Sequence, residues 1–141
     1  MACKGSTGSG VTLSLSIDTT IARIRSVQLP EWLSEAVDFT GLGNTDWMCF
    51  VPSGPADPGS FNAELFFDTE IVIPTINLVQ VATFTFPIQT TGNTTQATLT
   101  GSGFVTGLGW PNAAVGEPML QSLTFKYDGG TTAPAFTLEA A

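Results

Sequence analysis

Four stretches of the chain alternate apolar and polar residues with a period of two, the pattern of half-buried β-strands. In Val11–Ile17 the odd-numbered residues are apolar and the even-numbered ones are Thr or Ser. Ser60–Phe67, Leu78–Phe86 and Met119–Tyr127 repeat this alternation, and no stretch sustains the 3.6-residue period of a helix. The pattern therefore predicts an all-β protein.

Further strands are indicated between and beyond these four. Ile21–Leu29 follows Val11–Ile17 after three polar residues, so we predict that the two form a hairpin. Gln96–Gly109 reads as a long strand whose glycines allow bulges, and Asp128-Gly129-Gly130 reads as a hairpin-type turn. The sequence thus predicts a β-sandwich or barrel of about seven or eight mostly antiparallel strands, with at most a short helix.

The stretch Gly41–Gly59 does not fit this alternation. It is rich in Gly, Pro and Asp, as loops are, yet it carries Trp47, Met48, Phe50 and Val51. Large apolar side chains on a long loop are unfavourable unless something buries them. We therefore expect this loop to contact a partner, and we interpret that partner as another copy of the chain.

The charge and composition favour an assembly component. The formal net charge is −8, and charged residues make up 11% of the chain, against roughly 25% in typical soluble domains. Because hydrophobic residues make up 43%, few surface charges remain to oppose association. A compact Ser/Thr-rich β domain is the plainer explanation. Four Lys and Arg residues are too few to bind nucleic acid tightly. An acidic surface would still allow nucleic acid to slide past it.

The length predicts one domain. Residues 1–10 are Gly/Ser-rich and predict a flexible N-terminal arm, and residues 11–141 form the single β domain. No signal peptide and no apolar run of membrane-spanning length is recognisable, so Cys3 and Cys49 are expected to be free thiols in a reducing compartment.

The sequence offers little catalytic chemistry. It contains no His, which removes Ser–His and Cys–His nucleophile systems and most zinc sites. Glu64 and Asp68 could suggest a glycosidase pair, but four residues along a strand span roughly 13 Å, more than such pairs allow. Asp46 and Asp57 could suggest Ca²⁺, but prolines intervene and the spacing matches no Ca²⁺ loop. We expect no enzyme, no metal and no cofactor.

The order of several motifs resembles the major tail tube proteins of long non-contractile-tailed (siphovirus-type) bacteriophages. Ile21–Thr40 ends in a "DxT"-like strand, a loop with Asp46-Trp47 follows, and Pro58–Asp68 matches a strand that ends in Phe-Asp. Ala114–Met119 and the strand after it continue the likeness. One departure is Thr69–Asn77, where Pro74 and β-branched residues disfavour the α-helix that many relatives carry.

The resemblance implies a structural virion protein. Such proteins form hexameric rings that stack into a tube, and four strands of each subunit join into a continuous inner barrel. The lumen surrounds a tape-measure protein during assembly and conducts DNA into the host. Tail terminator and tail-tip proteins are the other implied partners. The implied location is the tail of the virion, assembled in the host cytoplasm, without a membrane.

The resemblance also suggests residues for each surface. The Gly41–Gly59 loop would be the inter-ring contact, and the strands on either side of it, Ala36–Thr40 and Ser60–Phe67, would line a negatively charged lumen. Met1–Gly10 and Ala113–Met119 are further interface candidates. The expected inter-ring residues are Trp47, Met48, Phe50, Val51 and Pro52, and the expected lumen-facing residues are Asp38, Asn62 and Glu64.

A non-enzymatic binding module is the alternative. A β-sandwich that decorates a capsid or binds carbohydrate would use exposed aromatic side chains as a platform, and Trp32 and Trp110 are the candidates for it. Trp47 also has an alternative role, as a cap over its own sandwich.

Overall fold

A computed structural model describes residues 10–18, 24–43, 46–67 and 73–141, which contain β-strands and no helix. The all-β prediction is therefore confirmed. Thr69–Asn77, where many relatives carry an α-helix, is covered only in part, because residues 68–72 lie outside the described residues. The strands are β1 Thr12–Leu15, β2 Ile24–Gln28, β3 Ala36–Asp38, β4 Phe50–Pro52, β5 Ser60–Phe66, β6 Gln80–Thr85, β7 Thr98–Gly109, β8 Leu120–Tyr127 and β9 Ala135–Thr137.

Seven of these strands form one antiparallel sheet with the order β1-β6-β7-β8-β5-β2, and β9 also pairs with β7. The predicted hairpin between Val11–Ile17 and Ile21–Leu29 is wrong. β1 pairs with β6 and β2 pairs with β5, at opposite edges of the sheet. The turn after β1 is bound to the β6 side, where the Gln80 side-chain oxygen accepts hydrogen bonds from the Ile17 and Asp18 amides.

The sheet curls so that its two halves face each other like the layers of a sandwich. Phe61 on β5 and Phe84 on β6 are separated in the sheet order by β8 and β7, so a flat sheet would hold them roughly 14 Å apart. Their ring centroids are 4.8 Å apart. The core between the halves is formed by inward-facing residues of five strands: Leu13, Leu15, Phe61, Ala63, Leu65, Ala82, Phe84, Leu99, Val105, Leu123, Phe125 and Tyr127.

The long strand β7 connects the two halves. A register shift between Val105 and Gly107 marks the predicted bulge, at which β7 bends. Asp128-Gly129-Gly130 does turn the chain, but it does not form a hairpin, because β9 pairs with β7 instead of β8. The buried Ser102 on β7 fixes this turn: its hydroxyl donates to Asp128 at 2.6 Å and accepts from the Thr132 amide at 2.8 Å.

Two hydrogen-bonded carboxylates predict acid lability. The Ser102 hydroxyl and the Gly130 amide lower the pKa of Asp128 below its ordinary 3.8. Hydrogen bonds from Thr90 and Gln89 lower the pKa of Glu139 below its ordinary 4.5. Because both folded-state pKa values are depressed, this stabilisation is present above the unfolded values and is lost as the pH falls through the folded values.

We therefore expect the thermal unfolding midpoint to hold between about pH 6 and pH 5 and to fall below about pH 4. Asp128→Asn should make that fall shallower, and Asp46→Asn, which removes a carboxylate that accepts no hydrogen bond from Ser102, should leave it unchanged. Calorimetry or circular dichroism as a function of pH measures this. Equal acid profiles for wild type and Asp128→Asn would contradict it.

Candidate assembly surfaces

A two-stranded ribbon formed by residues 31–43 and 46–57, here called the arm, projects from the sheet. β3 and β4 pair antiparallel within it, with Val37 opposite Val51. Further backbone hydrogen bonds extend the ladder from the Leu33–Asp57 pair at the base to Phe39–Cys49 near the tip. The prediction that Gly41–Gly59 is entirely loop is therefore wrong, because β4 lies inside it.

Every described residue of the arm is exposed. The exposed fraction reaches 86% for Trp47 and 64% for both Phe39 and Met48. Since an isolated two-stranded hairpin is only marginally stable in water, such a ribbon needs a partner. The other large apolar side chains that the arm exposes are Trp32, Leu33, Val37, Leu42, Phe50 and Val51. All five sequence-predicted interface residues, Trp47, Met48, Phe50, Val51 and Pro52, lie in this arm.

The base of the arm is fastened to the sheet. Asp57 forms an ion pair of 3.0 Å with Lys126 on β8 and accepts a 2.8 Å hydrogen bond from the Gly59 amide. These contacts, the Gly59 bond first, lower the pKa of Asp57. Gly59 has a φ of +77°, and a Cβ there would lie 2.5 Å from the Glu31 carbonyl oxygen. The arm therefore leaves the sheet in a direction that its base constrains.

A polar face lies on the outside of the layer formed by β2, β5 and β8. Asn62 and Glu64 alternate with the buried residues of β5 and point outward. The Thr124 hydroxyl donates to the Asn62 oxygen at 2.9 Å, and the Ser26 hydroxyl donates to Glu64 at 3.3 Å. Two of the three predicted lumen residues thus share one hydroxyl-rich surface.

Asp38, the third predicted lumen residue, lies elsewhere. It belongs to β3 in the arm, which forms its own two-stranded sheet with β4. Hydrogen bonds from the Thr40 hydroxyl and then from the Thr40 amide, the latter 2.8 Å long, lower the pKa of its carboxyl group. β3 therefore does not belong to the sheet layer that contains Ser60–Phe66. β2 is the strand that pairs with β5.

An apolar groove of about 740 Å³ lies between edge strand β2 and the ends of β6 and β9. Arg25 and Glu139 are its charged lining residues. Its apolar lining is formed by Val11, Ile24, Val27, Leu29, Phe86, Pro87, Ala97, Phe136 and Leu138. The sequence analysis missed this groove because the lining residues come from distant segments that only the curl of the sheet brings together.

The remaining candidate residues lie apart from one another. Trp110 packs edge-on against Phe67 at the far end of β5, with ring centroids 6.3 Å apart. Trp32 lies in the base of the arm, at the opposite end of β5, which spans roughly 20 Å. Met119, at the end of the Ala113–Met119 loop, accepts a backbone hydrogen bond from Phe67. In Met1–Gly10, only Gly10 is described.

The described residues contain no group of three or more His, Cys, Asp or Glu side chains placed to hold a metal ion. Asp57, which with Asp46 could have suggested a Ca²⁺ site, instead forms an ion pair with Lys126 and a hydrogen bond with the Gly59 amide. Cys49 is a free, exposed thiol on the arm. Cys3 lies outside the described residues, and so does Asp68, the partner of Glu64 in the carboxylate pair discussed above. No helix capable of crossing a membrane is present in the described part.

The chain shares its fold with proteins of phage-like tails. No family model and no curated protein matches its sequence. A chain in the structure of the sheath/tube terminator of the PVC extracellular contractile injection system matches with a TM-score of 0.73 and 11% identity, covering 97% of this chain and 99% of that one. A chain of the PVC sheath–tube complex matches with a TM-score of 0.69 and 14% identity, covering 95% and 92%.

A third match comes from a different kind of particle. A chain of the virion of a native gene transfer agent matches with a TM-score of 0.61 and 15% identity, covering 94% of this chain and 99% of that one. The similarity thus spans nearly the whole of each chain. At these identities it establishes a common fold, and this fold is the one found in subunits of contractile injection systems and gene transfer agent particles.

The geometry at Gly59 predicts that the base of the arm tolerates no side chain there. Gly59→Ala should lower the free energy of unfolding by about 1–2 kcal/mol from the left-handed backbone alone, and the Glu31 contact adds to this. Gly43→Ala is the matched control within the arm, because a Cβ there meets nothing within 4 Å. Urea denaturation measures both variants. Equal stabilities would contradict the proposed constraint.

Proposed function

We propose that this protein is the tube subunit of a phage-like tail: a structural virion protein, of the siphovirus type, whose hexameric rings stack into a tube. The observation that carries the proposal is the arm. A ribbon that exposes Trp47, Phe39 and Met48 and is covered by no described part of its own chain needs a contact with another molecule. The fold shared with tail proteins indicates that this molecule is another subunit.

Free strand edges support ring formation. β2 ends the sheet on one side, and β7 extends past its last pairing with β6, at Gly103, to Gly109. Among the described residues, β2 pairs with no strand other than β5, and the edge of β7 beyond Gly103 is bridged only at Val105, by Ile76 and Asn77. A closed ring would pair such edges and so remove the risk of uncontrolled association. The layer β7-β8-β5-β2 is therefore our candidate for the four strands that each subunit adds to the inner barrel.

The lumen in this proposal is the outward face of that layer. It presents Asn62, Thr124 and Ser26 as neutral polar groups and Glu64 as a negative one. Lys126 lies on the same side of β8 as Thr124, but it is paired with Asp57. The described part of this wall therefore offers DNA no unpaired cation, so the phosphates are not held as DNA passes. The same channel would surround the tape-measure protein during assembly, and terminator and tip proteins would close the tube at its ends.

A binding module with an aromatic platform is less well supported. Trp32 and Trp110 lie at opposite ends of β5, too far apart to stack on one sugar or one flat surface. Trp47 does not cap its own sandwich, since 86% of it is exposed. In an assembly the exposed apolar side chains of the arm would be buried against another subunit, whereas in a monomeric binding module they would stay in water.

Trp47→Ala should leave the subunit folded and impair polymerisation, because truncating an aromatic anchor at an interface commonly costs 2 kcal/mol or more, about 30-fold in affinity. Trp110→Ala is the matched control, an equally large truncation of an exposed Trp outside the arm. Circular dichroism checks the fold, and electron micrographs count and measure the tubes. Tubes of normal length and yield from Trp47→Ala would contradict the proposal.

A reconstruction of the polymer tests the lumen. We expect the side chains of Asn62 and Glu64 to face the channel, and Thr83, on the outward side of β6, to face away from it. The reason is that the β7-β8-β5-β2 layer ends in an edge on both sides, at β2 and at the part of β7 beyond Gly103, so it can be joined to neighbouring subunits at both. Glu64 on the outer surface of the tube would refute this part of the proposal.

A further inference from the structure

We infer that the receiving surface for the arm is the apolar groove beside β2 on a neighbouring copy of the chain. The inference rests on the proposed function only in that it takes the arm to be a contact between subunits. It adds the site that the arm occupies. The groove and the arm each expose several large apolar side chains that no described residue covers.

The two surfaces match in apolar character. The groove presents aliphatic and aromatic side chains, among them Leu29, Phe136 and Leu138, which are 39%, 51% and 73% exposed. The arm offers side chains of comparable size at its tip, such as Trp47 and Phe50. Docking would remove both sets from water, at about 25 cal/mol for each Å² of apolar area buried.

The charges are complementary as well. The arm carries five carboxylates and no Lys, Arg or His; the five are Glu31, Glu35, Asp38, Asp46 and Asp57. Arg25 lines the groove and forms no ion pair with any described residue. Lys126, the other described cation, is already paired with Asp57. Glu139, the other charged lining residue, already accepts hydrogen bonds from the Gln89 and Thr90 amides. Arg25 is thus placed to receive a carboxylate that arrives with the arm of another copy.

The geometry of such a contact suits a tube. Arm and groove are different surfaces of the same chain, so a contact between them is heterologous. Heterologous contacts repeat in one direction and generate rings or filaments instead of closing after two copies. A self-complementary arm–arm contact would instead bring five carboxylates against five others.

Residues 1–9 of the same chain are the competing occupant, because the chain continues from them to Val11 in the groove wall. Their composition fits poorly. The sequence MACKGSTGS contains few large apolar side chains, and its one charged side chain is Lys4, which Arg25 would repel and Glu139 would attract. The arm of a second copy therefore matches the groove better in apolar character.

Disulfide trapping between two kinds of subunit tests the inference. The donor carries Cys3→Ser and keeps the native Cys49 on its arm. The acceptor carries Cys3→Ser, Cys49→Ser and Leu138→Cys, which places its one thiol in the groove. A matched control acceptor has Val115→Cys instead, a fully exposed position in the loop after β7. Donor and acceptor are mixed, allowed to polymerise and oxidised mildly.

We expect a reductant-sensitive donor–acceptor dimer with Leu138→Cys, at least tenfold more abundant than with Val115→Cys. Tubes that form normally but give no such dimer, or give it equally with Val115→Cys, would overturn the inference and leave the proposed function standing. If neither donor nor acceptor polymerises while wild type also stays monomeric, the proposed function fails together with the inference.

A third variant distinguishes the competing occupant. It keeps Cys3 and carries Cys49→Ser and Leu138→Cys, so a disulfide within one chain can form only if residues 1–9 reach the groove. We expect no such intramolecular bond in assembled subunits. Its formation in most assembled chains would show that the groove is filled by its own N-terminal segment, and would overturn the inference.

Discussion

The packing of Phe61 between the two halves of the sheet is the interaction on which the rest of the structure depends. Its ring stacks on Phe125 at 5.0 Å and meets Phe84 edge-on at 4.8 Å, and none of its surface is exposed. Because Phe84 lies three strands away in the sheet order, this contact forms only if the sheet curls. The curl turns all inward-facing apolar residues into one core and leaves the arm, the polar face and the groove outside it.

The surfaces outside the core have unequal needs. The polar face satisfies its own groups with hydroxyl and amide side chains and gains little from a partner. The arm and the groove leave apolar groups in water, and the arm also carries unpaired carboxylates. An assembly in which the arm docks on the groove and the polar face lines a channel would bury the apolar surfaces and keep the polar one in water. A single subunit leaves the apolar surfaces of the arm and the groove exposed.

The strands with regular alternation could be predicted from the sequence, and their pairing could not. Ser60–Phe67 and Leu78–Phe86 have the predicted faces, because every second residue enters the same core. Whether β1 pairs with β2 or with β6 depends on contacts such as Gln80 with Asp18, which local pattern does not contain. β4 was missed because its three residues are too few to show alternation. The groove was missed because it joins edges far apart in sequence.

The central claim is that this chain assembles with itself into rings and tubes. Size-exclusion chromatography with light scattering, followed by negative-stain electron microscopy of the purified full-length protein, tests it most directly. The account predicts a mass of six subunits or a heavier polymer, and ring or tube images. A monomer that remains stable at high protein concentration, with no rings or tubes on the grid, would contradict it.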